Sequence, residues 1–199
     1  MKKLLSLDLS TTCTGYSTFD ISNKKLLTYG TIKPVLDKNQ KKLVYPEIQL
    51  TKMLFLAKII HELIITENPD IILIEEIAGS KQRLGQKVLD GLHWILLLVI
   101  GDYIRKVRYM DVTGCRGWRY LLGLKLSEAD KSNNKENKKL NKKLKRGTKK
   151  LPIVTAKHLA QRIVNKVYKT TFDVNVDTQH ADICDSIAMA YSFLTHILK

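Results

Sequence analysis

Four acids in this 199-residue chain stand where carboxylates are costly. Asp8 interrupts the apolar residues 4–9, and Glu75 closes the apolar run 71–74. Asp182 and Asp185 lie three residues apart inside 179–188, hence on one face of a helix. A carboxylate at the end of a buried strand must be satisfied by something positive. Singly, each has an ordinary reading. Asp8 suits a turn cap through Thr11 or Thr12, Glu75 a strand end reaching solvent, and Asp182 the first turn of a helix. Jointly, two strand-end acids and an acid pair on a helix describe a site for hard divalent cations. Oxygen ligands of this kind select Mg²⁺, with Mn²⁺ substituting, over Zn²⁺. Two such ions would clamp the attacking and leaving oxygens of a phosphodiester displacement.

The charge balance names a partner for that chemistry. The net charge is +15 and the pI about 9.7, so a polyanion is expected and nucleic acid leads. Residues 125–151 hold eleven Lys or Arg against Glu128, Asp130 and Glu136, a net +8 of the total. Cys13, Cys115 and Cys184 are scattered, with no zinc or disulfide spacing, which points to a reduced cytoplasmic compartment. Asp8 interrupts any signal-peptide pattern, and the apolar residues 92–100 are too few to span a bilayer. A nucleic-acid partner, and no membrane, is the expectation.

The elements that must position the acids follow from hydrophobic periodicity. Strands are expected over 3–9, 14–19 and about 26–32, the last two joined by a hairpin at 22–25. A helix runs from Pro46 to about Glu67 and stops at Asn68-Pro69-Asp70. A short strand buried on both faces covers 71–75. A long helix, about 83–106, precedes a fifth strand at 107–112. Residues 125–150 show no apolar period, so this Lys-rich insert, about 125–151, is expected to be a mobile, solvated loop. Helices follow over about 153–168 and 179–198. The sum is one α/β domain over 1–199, a mixed five-stranded sheet flanked by helices. The helix at 83–106 is apolar nearly all round, with Val88, Leu92, Ile95, Leu96, Val99 and Tyr103 at helical spacing. That suits packing on the sheet and on a second subunit. A core helix in a monomer is the plainer alternative.

Residues 8–16, Asp-Leu-Ser-Thr-Thr-Cys-Thr-Gly-Tyr, resemble the first motif of the RuvC family of Holliday junction resolvases. Leu73-Ile74-Glu75-Glu76-Ile77 is similar to that family's second acidic motif, and Leu84-Gly85-Gln86 to the start of the helix after it. Residues 181–190 resemble its C-terminal pattern, two aspartates before an Ala-rich helix. The resemblance implies an RNase H-like fold and a Mg²⁺-dependent, homodimeric endonuclease acting on four-way, three-way or fork-like DNA. It implies Asp8, Glu75, Asp182 and Asp185 as metal ligands, and Lys157 as the residue holding the scissile phosphate. A solvated helix lysine is the alternative for Lys157.

The chain departs from the bacterial branch at three places. Ala78 stands where that branch has an aromatic wedge, Leu9-Ser10 where it has Pro-Gly, and the Lys-rich insert is foreign to it. These features resemble the phage-encoded branch. Lys81 and Arg83, beside Ala78, are expected to contact DNA phosphates, which position DNA without reading bases. Arg116 and Arg119, among the aromatics of residues 114–120, suit DNA contact or a packed turn. His180 suits leaving-group protonation or, more simply, a cap. His93 and Trp94 suit a core or dimer interface. Three other readings compete: a branched-DNA-binding module without cleavage, a nuclease of RNA–DNA hybrids, and an actin-like phosphotransferase, whose first phosphate loop Asp-x-Ser-x-x-x-Thr-Gly resembles. The last lacks a second Gly-rich loop.

Overall fold

The computed structural model describes residues 1–76, 83–112, 114–145, 147–148 and 150–198, with only the backbone of Arg83. Five strands form one sheet: β1 (Lys3–Asp8), β2 (Thr14–Asp20), β3 (Lys25–Ile32), β4 (Ile71–Glu75) and β5 (Val107–Met110), in the order β3-β2-β1-β4-β5. β1, β2 and β3 form an antiparallel meander, while β4 and β5 run parallel to β1. The mixed sheet expected from the hairpin-then-alternation order is therefore present.

Strand alternation divides the core into two layers. Leu5 and Leu7 of β1, with Ile72 and Ile74 of β4, face α1 (Glu47–Glu67) and α2 (Arg83–Ile100). Met53, Leu56, Ala57, Ile60 and Ile64 supply the buried stripe of α1. Asn68, in the left-handed conformation, ends that helix just before Pro69. Leu4 and Leu73 face the other layer: α3 (Trp118–Leu121), α5 (Ala156–Tyr168) and α6 (Gln179–Ser192). α6 is buried nearly all round, and its Ala181, Ala188 and Ala190 let it lie close on the central strands.

Two elements differ from the sequence expectation. The helix over 83–106 stops at Ile100, where Gly101 takes a positive φ and a 3-10 segment, Gly101–Lys106, follows. The run Leu84–Lys106 is, by length and composition, long and apolar enough to cross a membrane, contrary to the reading of residues 92–100 alone. Leu92, Leu96 and Ile100 pack it into the core, whereas Trp94 is 68% and Leu98 80% exposed.

The larger correction is the Lys-rich insert. Instead of a solvated loop, Glu128–Lys143 forms helix α4, opened by a Ser127/Asp130 capping box. Its half-buried or buried residues are Asp130, Asn134, Asn137 and Asn141, at spacings of four, three and four. The period is helical, but the inward side chains are amides and one acid. A search for apolar periodicity passes over it.

Candidate active site

Parallel pairing puts Leu7 opposite Ile74, so Asp8 and Glu75 leave the sheet side by side at its carboxyl edge. Both lie on the α6 face of their strands, in phase with Leu4 and Leu73. Three contacts then set α6. The Ser6 hydroxyl donates to the Ser186 carbonyl at 2.8 Å, fully buried. The Thr31 hydroxyl donates to Gln179 Oε1 at 2.8 Å. Gly15, paired with Asp8 across β1 and β2, sits directly against the Asp182 peptide, where a β-carbon would overlap its backbone. The glycine of residues 8–16 thus has a steric reason. It lets the first turn of α6 carry Asp182 and Asp185 down beside Asp8 and Glu75.

The four acids sense one another. Burial first, then the charges of Glu75, Asp185 and Asp182, hold the Asp8 carboxyl well above the usual carboxylate range. Asp185, only 4% exposed, is pushed up to about 6, by burial and by Glu75 and Asp182 against the pull of Arg119 and Lys157. Its Oδ1 is buried without a hydrogen-bond partner.

Protein groups hold three of the four carboxylates. The Trp118 indole N–H donates to Glu75 Oε1 at 3.0 Å. Arg119 pairs with Asp185 Oδ2 at 3.3 Å and stacks on the Trp118 ring. Lys157 Nζ lies 3.2 Å from Asp182 Oδ1. Burial works to lower the Lys157 ammonium, but Asp182, Asp185 and Asp8 outweigh it and push it up. The cations reach the site from two directions, Arg119 from α3 and Lys157 from the first turn of α5. Among the described residues, no three His, Cys, Asp or Glu side chains form a ready-made metal cage.

The donor set nevertheless fits a hard divalent ion. It is all oxygen, it carries an orphaned buried carboxylate atom, and its mutual repulsion is relieved only in part by two cations.

The other candidate residues are placed as follows. Arg116 borders a cleft with Tyr109, Asp111, Phe193 and Ile197, and among the described residues no ion pair joins it to the four acids. Ala78 and Lys81 lie outside the described residues, as does the Arg83 side chain. His180 lies at the start of α6, two residues before Asp182. Its Nδ1 lies 3.1 Å from the Asp173 nitrogen and 3.0 Å from the Asp173 carbonyl oxygen, and its ring tilts on Phe172, so it braces the turn before α6. His93 is buried and stacked on Tyr109, and burial pushes it down to about 4. Sequence reasoning missed two residues. Trp118 orients Glu75, for which only its place in an Arg-rich aromatic turn was a signal. Cys13, between Asp8 and Gly15, faces Asp182 and Thr31, and burial first and then Asp182 push its thiol up to about 11.

A mixed five-stranded sheet with an acid cluster at the edge of its two central parallel strands defines an RNase H-like fold. Among solved structures, the chain is similar to Thermus thermophilus RuvC in complex with a Holliday junction substrate. The TM-score is 0.55 at 10% identity, covering 96% of this chain and 92% of that one. It is similar also to the yeast mitochondrial Holliday junction resolvase Ydc2, with TM-score 0.53 at 12% identity over 97% and 78% of the two chains. At such identities the likeness is one of fold. No family model and no curated protein matches the sequence.

Proposed function

We propose that this chain is a divalent-metal-dependent endonuclease that cleaves branched DNA, four-way Holliday junctions among its substrates. The observation that carries the reading is the convergence of Asp8, Glu75, Asp182 and Asp185 beside Lys157 and Arg119 on a basic chain. The reading also agrees with the structural neighbours, a RuvC in complex with a Holliday junction substrate and a Holliday junction resolvase.

Asp8, Glu75, Asp182 and Asp185 would hold Mg²⁺ or Mn²⁺, which supplies a Lewis acid and a bound water of lowered pKa at the phosphodiester. The chain's own residues do the rest. Trp118 and Arg119 orient Glu75 and Asp185, so two carboxylates would meet the ion with little reorganisation. Lys157, half-exposed, has its stem rooted in α5 and its ammonium at Asp182. From there it reaches a phosphate oxygen and neutralises its charge. Symmetric cutting of two strands calls for two such sites, and a two-fold dimer through the exposed apolar face of α2 supplies them.

The test is a nicking assay on four-way, three-way, fork-like and linear DNA, with and without Mg²⁺. Asp8→Asn, Glu75→Gln, Asp182→Asn and Asp185→Asn should each reduce cleavage at least about 100-fold and leave junction binding in place. Wild-type cleavage by two or more of them would overturn the assignment. Cleavage of RNA–DNA hybrids in preference to branched DNA, or junction binding with no nicking under any metal, would favour the competing readings.

A further inference from the structure

The basic insert is built as a rigid arm. Asn134 both donates to the Val154 carbonyl and accepts from its N–H, each at 2.8 Å. Asn141 does the same with Leu151 at 3.0 and 2.7 Å, and Asn137 donates to the Pro152 carbonyl at 2.8 Å. The three amides bond the backbone of residues 151–154 as a neighbouring strand would, satisfying peptide groups that no sheet pairs. One turn earlier, Asp130 takes both arms of the Arg162 guanidinium at 2.8 and 2.9 Å, a bidentate pair of defined geometry. Arg162 first, with Ser127, holds that carboxyl far below the usual range, so the pin stays charged at any working pH. Arg162 belongs to α5, the helix whose first turn carries Lys157 to Asp182. The arm is thus keyed to the acid cluster through one helix.

The exposed flank of α4 is a different surface. Lys135, Lys138 and Lys142 form an exposed stripe at helical spacing, with Lys139 beside it. Lys131 extends the stripe but is held by Glu128 at 2.6 Å. Among the described residues the other four ammonium groups are in no ion pair. A solvated tail needs no fixed inner face. Here a helix with no apolar side is fastened by five amide hydrogen bonds and a bidentate ion pair, and the result is a fixed row of cations. Sixteen residues span about 24 Å, the length of roughly seven stacked base pairs.

We propose that α4 lies along the sugar–phosphate backbone of one duplex arm of the substrate, and that the Asp130–Arg162 pair fixes this contact relative to the acid cluster. The inference deepens the branched-DNA reading and rests on it for the arm's orientation. Its binding half is read without cleavage, on linear duplex in the absence of Mg²⁺.

Two variants separate charge from placement. Lys135→Gln, Lys138→Gln, Lys139→Gln and Lys142→Gln combined remove the stripe at exposed positions. The slope of log K against log salt for duplex should then fall by about 3 to 4. An unchanged slope overturns the contact, as does loss of affinity for phosphatidylserine vesicles with duplex binding intact. Asp130→Asn with Arg162→Gln keeps every stripe lysine. Its slope should stay within about one unit of wild type, while its nicks on a four-way junction spread over several positions. A nicking pattern identical to wild type overturns the pin. If no carboxylate variant differs from wild type in cleavage, the nuclease reading fails while the duplex slope still reports on α4.

Discussion

Gly15 and Asp182 are in backbone contact: a β-carbon on Gly15 would overlap the Asp182 carbonyl group. The glycine faces a peptide, which cannot swing away as a flexible side chain would. Gly15→Ala is therefore expected to push the first turn of α6 off β2. Overpacking of this kind costs about 1–3 kcal/mol, readable as a lowered thermal midpoint. Cleavage should fall further than stability does, because Asp182 moves with the helix. A variant with wild-type cleavage would disconnect the glycine from the site.

Trp118 is buried and gives its one side-chain polar hydrogen to Glu75. Trp118→Phe keeps a ring there and removes the donor. Partners behind metal ligands typically contribute 10–100-fold in metal affinity. The Mg²⁺ concentration for half-maximal cleavage should therefore rise by about that factor, with the maximal rate recovered at high Mg²⁺. An unaltered Mg²⁺ titration would leave the indole a packing role only.

Asp185 carries a pH signature in the metal-free protein. Its pKa is raised from 3.8 when unfolded to about 6 when folded, chiefly by burial. The folded state therefore binds the extra proton. This group's contribution is fully present below the unfolded value and is lost as pH rises through about 6. Asp185→Asn removes the loss. In chelator, the variant should gain on wild type between pH 4 and pH 6, by on the order of 3 kcal/mol. Added Mg²⁺ should reverse the difference at pH 7, because wild type then has a ligand to offer. Denaturant unfolding across that range checks both signs.

Trp94 and Leu98 expose a contiguous apolar face on α2 that the sheet does not use. Sedimentation at micromolar concentration should give twice 22.8 kDa. Trp94→Ser with Leu98→Lys should give a single 22.8 kDa species that still binds DNA but no longer cuts two strands together. A wild-type monomer that nonetheless cuts both strands in concert would remove the dimer geometry.

The fold was legible wherever burial is apolar. β4 ends at Glu75 as expected, because a four-residue, isoleucine-rich apolar run followed by an acid has few other ways to fold. The four acids were legible for a related reason: a carboxylate at a strand end or on a buried helix face calls for a partner. α4 was not legible, because its inward face is Asp130, Asn134, Asn137 and Asn141. Polar side chains look solvated until their partners are known, and these partners lie 10 to 32 residues further along the chain.

The sequence by itself determined the sheet, the carboxyl edge bearing Asp8 and Glu75, and the helix face bearing Asp182 and Asp185. Local periodicity and the cost of burying charge suffice for these. Only the tertiary structure decided that Trp118 holds Glu75, Arg119 holds Asp185, Lys157 holds Asp182 and Arg162 holds Asp130. A carboxylate can accept from any N–H donor within reach, neutral or charged. The folded chain alone sets which one that is.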